Sequence, residues 1–142
     1  MKPIRTWILI ADQGTAKILQ NNGPGKGLTV VPGVEMTAPK INRPQNPKGR
    51  TFSSVGARRH THEPRHQEDA VFVKEIVEML EVARMDDRFD RLILCAPPEM
   101  LGILRANIGA ALVVMIHGEM AKDLIKIPMQ ELPSHLDDLV VV

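Results

Sequence analysis

Hydrophobic residues are spaced differently in successive parts of this chain, and the spacing predicts strands first and a helix later. Residues 7–11 are continuously apolar, which is typical of a strand that is covered on both faces. The runs 16–20 and 28–31 are short and largely apolar, turn-forming residues separate them, and a Pro-Gly break precedes residues 34–36. The N-terminal part is therefore predicted to be an antiparallel meander.

From Gln67 onward, apolar residues recur with the period of an α-helix. Val73, Leu80 and Ala83 fall on one stripe, and charged residues lie beside it. This pattern predicts the longest helix of the chain, ending near residues 85–88.

The chain then returns to strand-like patterns. Residues 91–96 form an apolar run that predicts a strand, and Pro98 is placed to begin a helix that continues through Arg105. The apolar, β-branched run 112–117 predicts a fifth strand. Together these elements predict an α/β fold, in which a mixed sheet of about five strands (the antiparallel meander followed by a βαβ crossover) has helices packed on it. At 142 residues the chain is expected to be a single domain, 1–142.

The C-terminal tail, from Ala121 onward, is predicted to hold one or two short helical turns. Pro128 and Pro133 are expected to interrupt them, because proline removes a backbone donor. Asp123 is predicted to cap a helix.

Two polar features near the N-terminus are interpreted as turns. Asp12 follows the first strand, where aspartate is common as a turn residue. The glycine-rich stretch 23–27 departs from a phosphate-binding loop, because Gln20 stands where the first glycine belongs and Gly27 where serine or threonine belongs. A hairpin turn explains it better.

Residues 40–66 differ in charge from the rest of the chain. This segment contains seven of the 18 Lys and Arg residues and a single one of the 17 acidic residues. Its net charge is therefore about +6, and that of the remainder is about −5. It contains several prolines, shows no apolar periodicity, and is far longer than the roughly 4–6 residues of common connections. A long basic loop of this kind suggests an anionic partner.

The residue types in this basic loop fit the backbone of a nucleic acid or another phosphate. Arginine offers a planar fork of donors, serine adds neutral donors, and glycine lets backbone N–H groups approach an anion. The predicted anion- or RNA-binding residues are Lys48, Arg50, Ser53, Ser54, Arg58, Arg59, His60 and Arg65. The alternative is a solvated loop whose charges only maintain solubility.

Metal and nucleophile chemistry are both disfavoured in the basic loop. His60, His62 and His66 could ligate zinc, but no cysteine lies nearby, Glu63 is the one carboxylate, and neighbouring arginines would repel a cation. A serine nucleophile with His60 as its base would need an orienting third residue and an oxyanion hole, and neither is recognisable. The sequence therefore predicts no metal, no cofactor and no catalytic site.

Composition narrows the choice of function class and compartment. Aromatic residues make up 3% of the chain, which leaves few platforms for stacking bases. Cys95 is the one cysteine and lies in an apolar run, which indicates a buried thiol in a reducing setting. The apolar run 7–11 is short and Asp12 interrupts it, so neither a signal peptide nor a membrane span is predicted. The protein is expected to be cytoplasmic and to have no membrane partner.

Several short motifs, spread over nearly the whole chain, together resemble the bacterial host attachment protein family. They are RTWILIAD at 5–12, GPGKGL at 23–28, GRTFSSVG at 49–56, RH at 59–60, EP at 63–64, FDRL at 89–92, APP at 96–98 and AKDL at 121–124. The family is named for attachment of bacteria to host cells. The resemblance implies a phenotype, and it implies no chemistry.

A more distant resemblance is to the middle domain of archaeal and eukaryotic class-I release factors and of Pelota. Those domains have a strand-turn-strand opening, a loop and then a long helix, in the order predicted here. The release-factor loop carries a Gly-Gly-Gln motif for peptidyl-tRNA hydrolysis. The corresponding stretch 53–66 lacks it, with 55–59 as its nearest counterpart. The resemblance therefore implies contact with RNA or the ribosome without that hydrolysis.

Three functions are consistent with the sequence. The leading prediction is a cytosolic, non-enzymatic binding protein that contacts RNA or the ribosome through residues 48–66. One alternative is a factor for bacterial attachment to host cells that acts by protein–protein interaction. The other is a small phosphate-ester or other hydrolase that uses the basic loop as a lid.

Overall fold

The computed structural model describes residues 3–38 and 63–139, with the backbone alone for 63–68. This part of the chain forms six strands and four helices in an α/β arrangement. In chain order they are β1 (Thr6–Ala11), β2 (Thr15–Asn21), β3 (Thr29–Val30), β4 (Met36–Thr37), α1 (Glu63–Met85), β5 (Arg91–Cys95), α2 (Pro98–Asn107), α3 (Ala110–Val113), β6 (Ile116–Met120) and α4 (Leu132–Leu136).

The strands form one mixed sheet, which confirms the predicted α/β fold. Its order is β3-β2-β1-β5-β6, and β4 also pairs with β2. The β1–β2 hairpin is antiparallel, whereas β1, β5 and β6 run parallel to one another. Parallel neighbours require crossover connections, and α1 and α2 lie within the segments that provide them. The predicted combination of a meander with βαβ crossovers is therefore present.

A hydrophobic core covers each face of the sheet, because successive side chains of a strand point to opposite faces. Trp7 and Leu9 of β1 face a core that includes Phe72 and Ile76 of α1 and Leu104 of α2. The alternate residues Ile8 and Ile10 face a second core, to which Leu124, Leu132 and Leu136 of the C-terminal region belong. All six residues of β1 are buried, as its continuous apolar sequence predicts.

Trp7 joins β1 to the turn that follows α1. Its ring stacks on Phe89 with centroids 4.9 Å apart and an interplanar angle of 25°. Its indole Nε1–H donates to Gln20 Oε1 at 2.8 Å, and the Arg88 guanidinium lies 5.2 Å from the ring centroid. The buried indole nitrogen therefore has a partner, and the positive charge of Arg88 is held against the edge of the core.

The segment before β1 is tied to the same turn by Arg5. Its guanidinium donates to the Asp87 carbonyl at 2.7 Å and pairs with the Asp90 carboxylate at 3.2 Å. Asp87, two residues after the end of α1, is in a left-handed conformation with φ 57°, and the N–H of Arg88 donates to the Ala83 carbonyl at 3.0 Å. Arg5 therefore stabilises the connection between α1 and β5.

Two boundaries differ from the sequence prediction. The predicted loop 40–66 is wrong at its end, because α1 already begins at Glu63. An acidic residue followed by Pro64 suits the first turn of a helix, where proline lacks only a donor that would be unpaired. The predicted strand 112–117 is also displaced: Ala110–Val113 is helical, and β6 begins at Ile116. Leu112 reaches the core from this short helix instead of from a strand.

The C-terminal tail differs from expectation in two details. Pro133 lies in the first turn of α4 and so begins a helix rather than interrupting one. Asp123 caps no helix; its Oδ1 accepts from the backbone N–H of Ile125 at 3.1 Å, which closes a turn. The prediction of a short helical turn in the tail is confirmed by α4.

The Cys95 thiol is buried at the end of β5, as its apolar neighbours predict. Burial raises the pKa of this thiol to about 12 from 9.0, because desolvation disfavours the thiolate. A shift of this size lowers the thiolate fraction at pH 8 by about 1,000-fold. The thiol is thus a small apolar core group.

We expect the native protein to resist thiol-specific reagents at pH 8 and to react at once when it is unfolded in guanidinium. Because the folded pKa is the higher one, the stability that this thiol contributes is fully present below pH 9 and is lost as pH rises toward about 12. A chromogenic disulfide reagent measures the rate of thiol reaction in the native and in the unfolded protein. Equal rates in native and unfolded protein would contradict the buried position.

Candidate functional site

The carboxyl ends of the three parallel strands lie along one edge of the sheet. Residue 12 follows β1, residues 96–97 follow β5, and residues 121–123 follow β6. In open α/β sheets this edge is the usual place for ligands. It is therefore the first place to look for the predicted binding residues.

Asp12 closes the turn between β1 and β2 at this edge. Its Oδ1 accepts from the backbone N–H groups of Gly14 and Thr15 at 2.8 and 2.7 Å. The backbone N–H of Asp12 itself donates to the Thr15 carbonyl at 2.9 Å. These bonds confirm the prediction that Asp12 is a turn residue. The stretch 23–27 is confirmed as a turn by the bond from Lys26 N–H to the Gly23 carbonyl at 3.1 Å.

The chain on either side of residues 39–62 contacts the same turn. The backbone N–H of Ala38, just after β4, donates to the Gly14 carbonyl at 2.9 Å. On the other side, Asp69 in the second turn of α1 is 5% exposed, and its Oδ2 accepts from Gln13 Nε2 at 3.5 Å. Both flanks of the predicted basic loop are therefore anchored at the carboxyl edge of the sheet.

The predicted anion-binding residues fall almost entirely outside the described part of the chain. Lys48, Arg50, Ser53, Ser54, Arg58, Arg59 and His60 belong to residues 39–62. Arg65 has a described backbone, which lies in the first turn of α1. Binding of an anion by these eight residues stays a prediction.

The described ranges 3–38 and 63–139 also bear on metal binding, membrane insertion and thiol chemistry. They contain no group of three or more His, Cys, Asp or Glu residues placed to hold a metal ion. None of the helices described there is long and apolar enough to cross a membrane. The Cys95 thiol is buried and protonated, which makes it a poor nucleophile.

The outer face of α1, away from the sheet, carries exposed apolar side chains that the sequence analysis did not identify. Val71, Val82 and Met85 are 53%, 59% and 73% exposed. With 3.6 residues per turn, all three lie on the side of α1 opposite its buried stripe, where the exposed residues Lys74, Glu75 and Glu78 separate Val71 from the other two. Solvent-facing helix positions are ordinarily polar, so this arrangement suggests a contact surface.

Next to Val82, an open groove of about 430 Å³ lies between α1 and the segment from Val34 to Met36. It is called the α1 groove below. Its apolar lining comes from Val34, Met36, Met79, Val82 and Ala83. Its charged lining comes from Glu75, Glu78, Asp86 and Arg88. The α1 groove thus combines an apolar floor with a mainly acidic rim.

A second, smaller depression of about 300 Å³ lies beside β6, lined by residues that include Ile108, Val113 and Ile116. Its two charged side chains bind each other, with Arg105 Nε donating to Glu119 Oε1 at 2.7 Å. The hydrogen bond to Glu119 also raises the pKa of Arg105 above its ordinary value. The charged groups of this depression are therefore engaged with each other, and the α1 groove is the better candidate for a binding surface.

Comparison with known proteins agrees with the motif resemblance. Residues 7–136 match the family described as "Protein required for attachment to host cells". No curated protein matches the chain. The matched range contains all the described helices and strands except Thr6, the first residue of β1. The chain therefore belongs to the family of proteins required for attachment to host cells.

Proposed function

We propose that this protein is a non-enzymatic factor that supports attachment of bacteria to host cells by binding another protein. The observation that carries the proposal is the α1 groove, a cleft between α1 and residues 34–36 whose lining combines apolar and mainly acidic side chains. Membership of the family supports a role in attachment, and the groove offers a surface that a partner protein could bind.

The groove has the chemical character of a protein-binding surface. Complete burial of an aliphatic side chain contributes about 1.5–3 kcal/mol. Because Val82 is 59% exposed, more than half of its surface is still available for burial by a partner. Met85 is exposed about one turn beyond Val82 on the same side of α1, next to the groove. Regular secondary structure holds the backbone of these residues, so docking does not have to order the main chain of α1.

The test is an assay of host-cell attachment in bacteria whose chromosomal gene encodes Val82→Asp in place of the natural residue. The proposal predicts fewer attached bacteria at equal protein level. Unchanged attachment would remove the α1 groove from the mechanism.

A second candidate function is contact with RNA or the ribosome through residues 48–66. Two observations favour it: the charge of about +6 on residues 40–66, and the anchoring of both flanks at the carboxyl edge of the sheet. The resemblance to release-factor middle domains adds support, since their loop reaches the ribosome. Absence of Gly-Gly-Gln makes this contact non-hydrolytic.

Replacement of Arg50, Arg58, Arg59 and Arg65 by alanine tests this second function. Each lost phosphate contact lowers the slope of log affinity against log salt by about 0.7–0.9, so four contacts lower it by about 3. Co-sedimentation with ribosomes over a salt series measures the slope. If the natural protein fails to co-sediment at low salt, or if the substitutions leave the slope unchanged, this function is excluded.

A further inference from the structure

The charged lining of the α1 groove is unbalanced. Glu75, Glu78 and Asp86 line it, and Arg88 is the one cationic residue in the lining. In the described part of the chain, no ion pair within 4.0 Å involves any of these three carboxylates. Arg88 lies against the Trp7 ring at one end of the groove. The rim therefore presents net negative charge to whatever enters.

Acidic and apolar side chains share one side of α1. Glu75 and Glu78 lie between Val71 and Val82, and Asp86 directly follows the helix. Lys74 is exposed next to Glu75, outside the lining of the groove. From Val71 to Met85 the face runs about 21 Å, since a helix rises 1.5 Å per residue. A partner helix of about four turns would cover it.

We infer that the α1 groove docks a basic amphipathic helix of a partner protein. The inference rests on the proposed function, in which this surface binds a protein, and adds the chemistry of the partner. Apolar residues of the partner at i, i+3, i+4 and i+7 would enter between the two walls of the groove, and lysines or arginines on both sides would meet the acidic rim.

Two other occupants fit the charges less well. A second copy of this chain, docked through the same face, would place Glu75 and Glu78 against acidic residues of its own kind, and close like charges oppose association. A nucleic acid would meet the same repulsion and has no apolar stripe to fill the floor. Charge complementarity therefore selects a cationic, amphipathic protein segment.

The experiment uses a synthetic helix of about 18 residues, with leucine at the i, i+3, i+4 and i+7 positions and lysine elsewhere. A scrambled peptide of the same composition, which lacks the apolar stripe, is the peptide control. Fluorescence anisotropy of the labelled peptides measures affinity for the full chain at low salt. Protein variants are Glu75→Lys/Glu78→Lys in the groove and Glu131→Lys/Asp138→Lys as the matched control, since both of the latter are exposed near α4.

We expect the amphipathic peptide to bind at least about 10-fold more tightly than the scrambled one, as expected for groove recognition through an apolar stripe. The groove variant should weaken its binding at least about 10-fold, whereas the control variant, with the same change in net charge, should weaken it less than about 2-fold. Equal losses in the two variants, or equal binding of both peptides, would overturn the inference. So would a dimer in sedimentation that Val82→Asp dissociates, because the face would then belong to a second copy.

The outcome is separable from that of the proposed function. If Val82→Asp abolishes attachment but the basic peptide does not bind, the groove serves attachment with a partner of other chemistry. If the peptide binds as expected and attachment is unaffected, the partner class is right and its role in attachment is wrong.

Discussion

Trp7→Ala should lower the free energy of unfolding by about 3–5 kcal/mol, the range for truncation of a large buried aromatic side chain. Trp7 is fully buried at the centre of the sheet. The substitution removes the stacking on Phe89 and the hydrogen bond to Gln20, and it leaves a cavity beneath Arg88. Against a typical total of about 5–15 kcal/mol, this is a large fraction of the stability.

Urea denaturation followed by far-ultraviolet circular dichroism measures this loss. Trp7→Phe is the matched variant, because it keeps an aromatic ring for Phe89 and removes the donor to Gln20. We expect it to cost about 1–2 kcal/mol, since the volume change is smaller and one hydrogen bond is lost. A loss below about 1 kcal/mol for Trp7→Ala would show that the Trp7–Phe89 pair does not organise the core as described.

Val82→Asp should abolish docking to the α1 groove and leave the fold intact. The side chain is 59% exposed, and valine and aspartate have similar helix propensities, so the loss of stability comes from the new charge. This charge lies in the last turn of α1, one turn from Glu78 and from Asp86. We expect it to cost about 1–2 kcal/mol, which is less than the typical total stability of a domain. In the complex, by contrast, the new carboxylate would be buried on an apolar floor beside Glu78 and Asp86. The burial cost and the lost apolar contact together amount to about 2–4 kcal/mol, or about 30- to 1,000-fold in affinity.

Val114→Asp is the control for this substitution. Val114 is 82% exposed at the end of α3, outside the groove lining. It receives the same chemical change on an unrelated surface. Thermal melts of both variants, compared with the natural protein, establish that any loss of function is a loss of binding.

The sequence was sufficient for the parts of the fold whose apolar pattern is long or continuous. β1 is buried on both faces, and its run 7–11 has no polar position. The stripe containing Val73, Leu80 and Ala83 predicted α1, and these residues do pack on the sheet. In both elements the local pattern and the tertiary environment favour the same structure.

The region after α2 shows why short apolar runs are ambiguous. Leu112, Val113 and Val114 have the composition of a strand, but the chain turns at Gly109 and places Leu112 in the core from a helical turn. The strand β6 then includes Gly118 and Glu119, residue types that are depleted in strands. Periodicity cannot distinguish a short buried helix from a strand. Here the strand is formed by the residues that pair with β5, which begin at Ile116.

The α1 groove could be predicted only in part. Val71, Val82 and Met85 fall outside the buried stripe, and apolar residues on the polar side of a helix are the signal that sequence reasoning could have used. The opposite wall comes from Val34 and Met36, which are distant in sequence and reach α1 through the pairing of β4 with β2. That wall depends on tertiary structure, so the cleft itself was not visible in the pattern.

The most direct measurement is host-cell attachment by three bacterial strains whose genes encode the natural protein, Val82→Asp or Val114→Asp at equal protein levels. Family membership predicts that attachment depends on this protein, and the α1 groove predicts which surface it uses. We expect Val82→Asp to reduce attachment to the level of a gene deletion and Val114→Asp to match the natural protein. Attachment by the Val82→Asp strain at the natural level, with a deletion strain deficient, would contradict the role of the α1 groove.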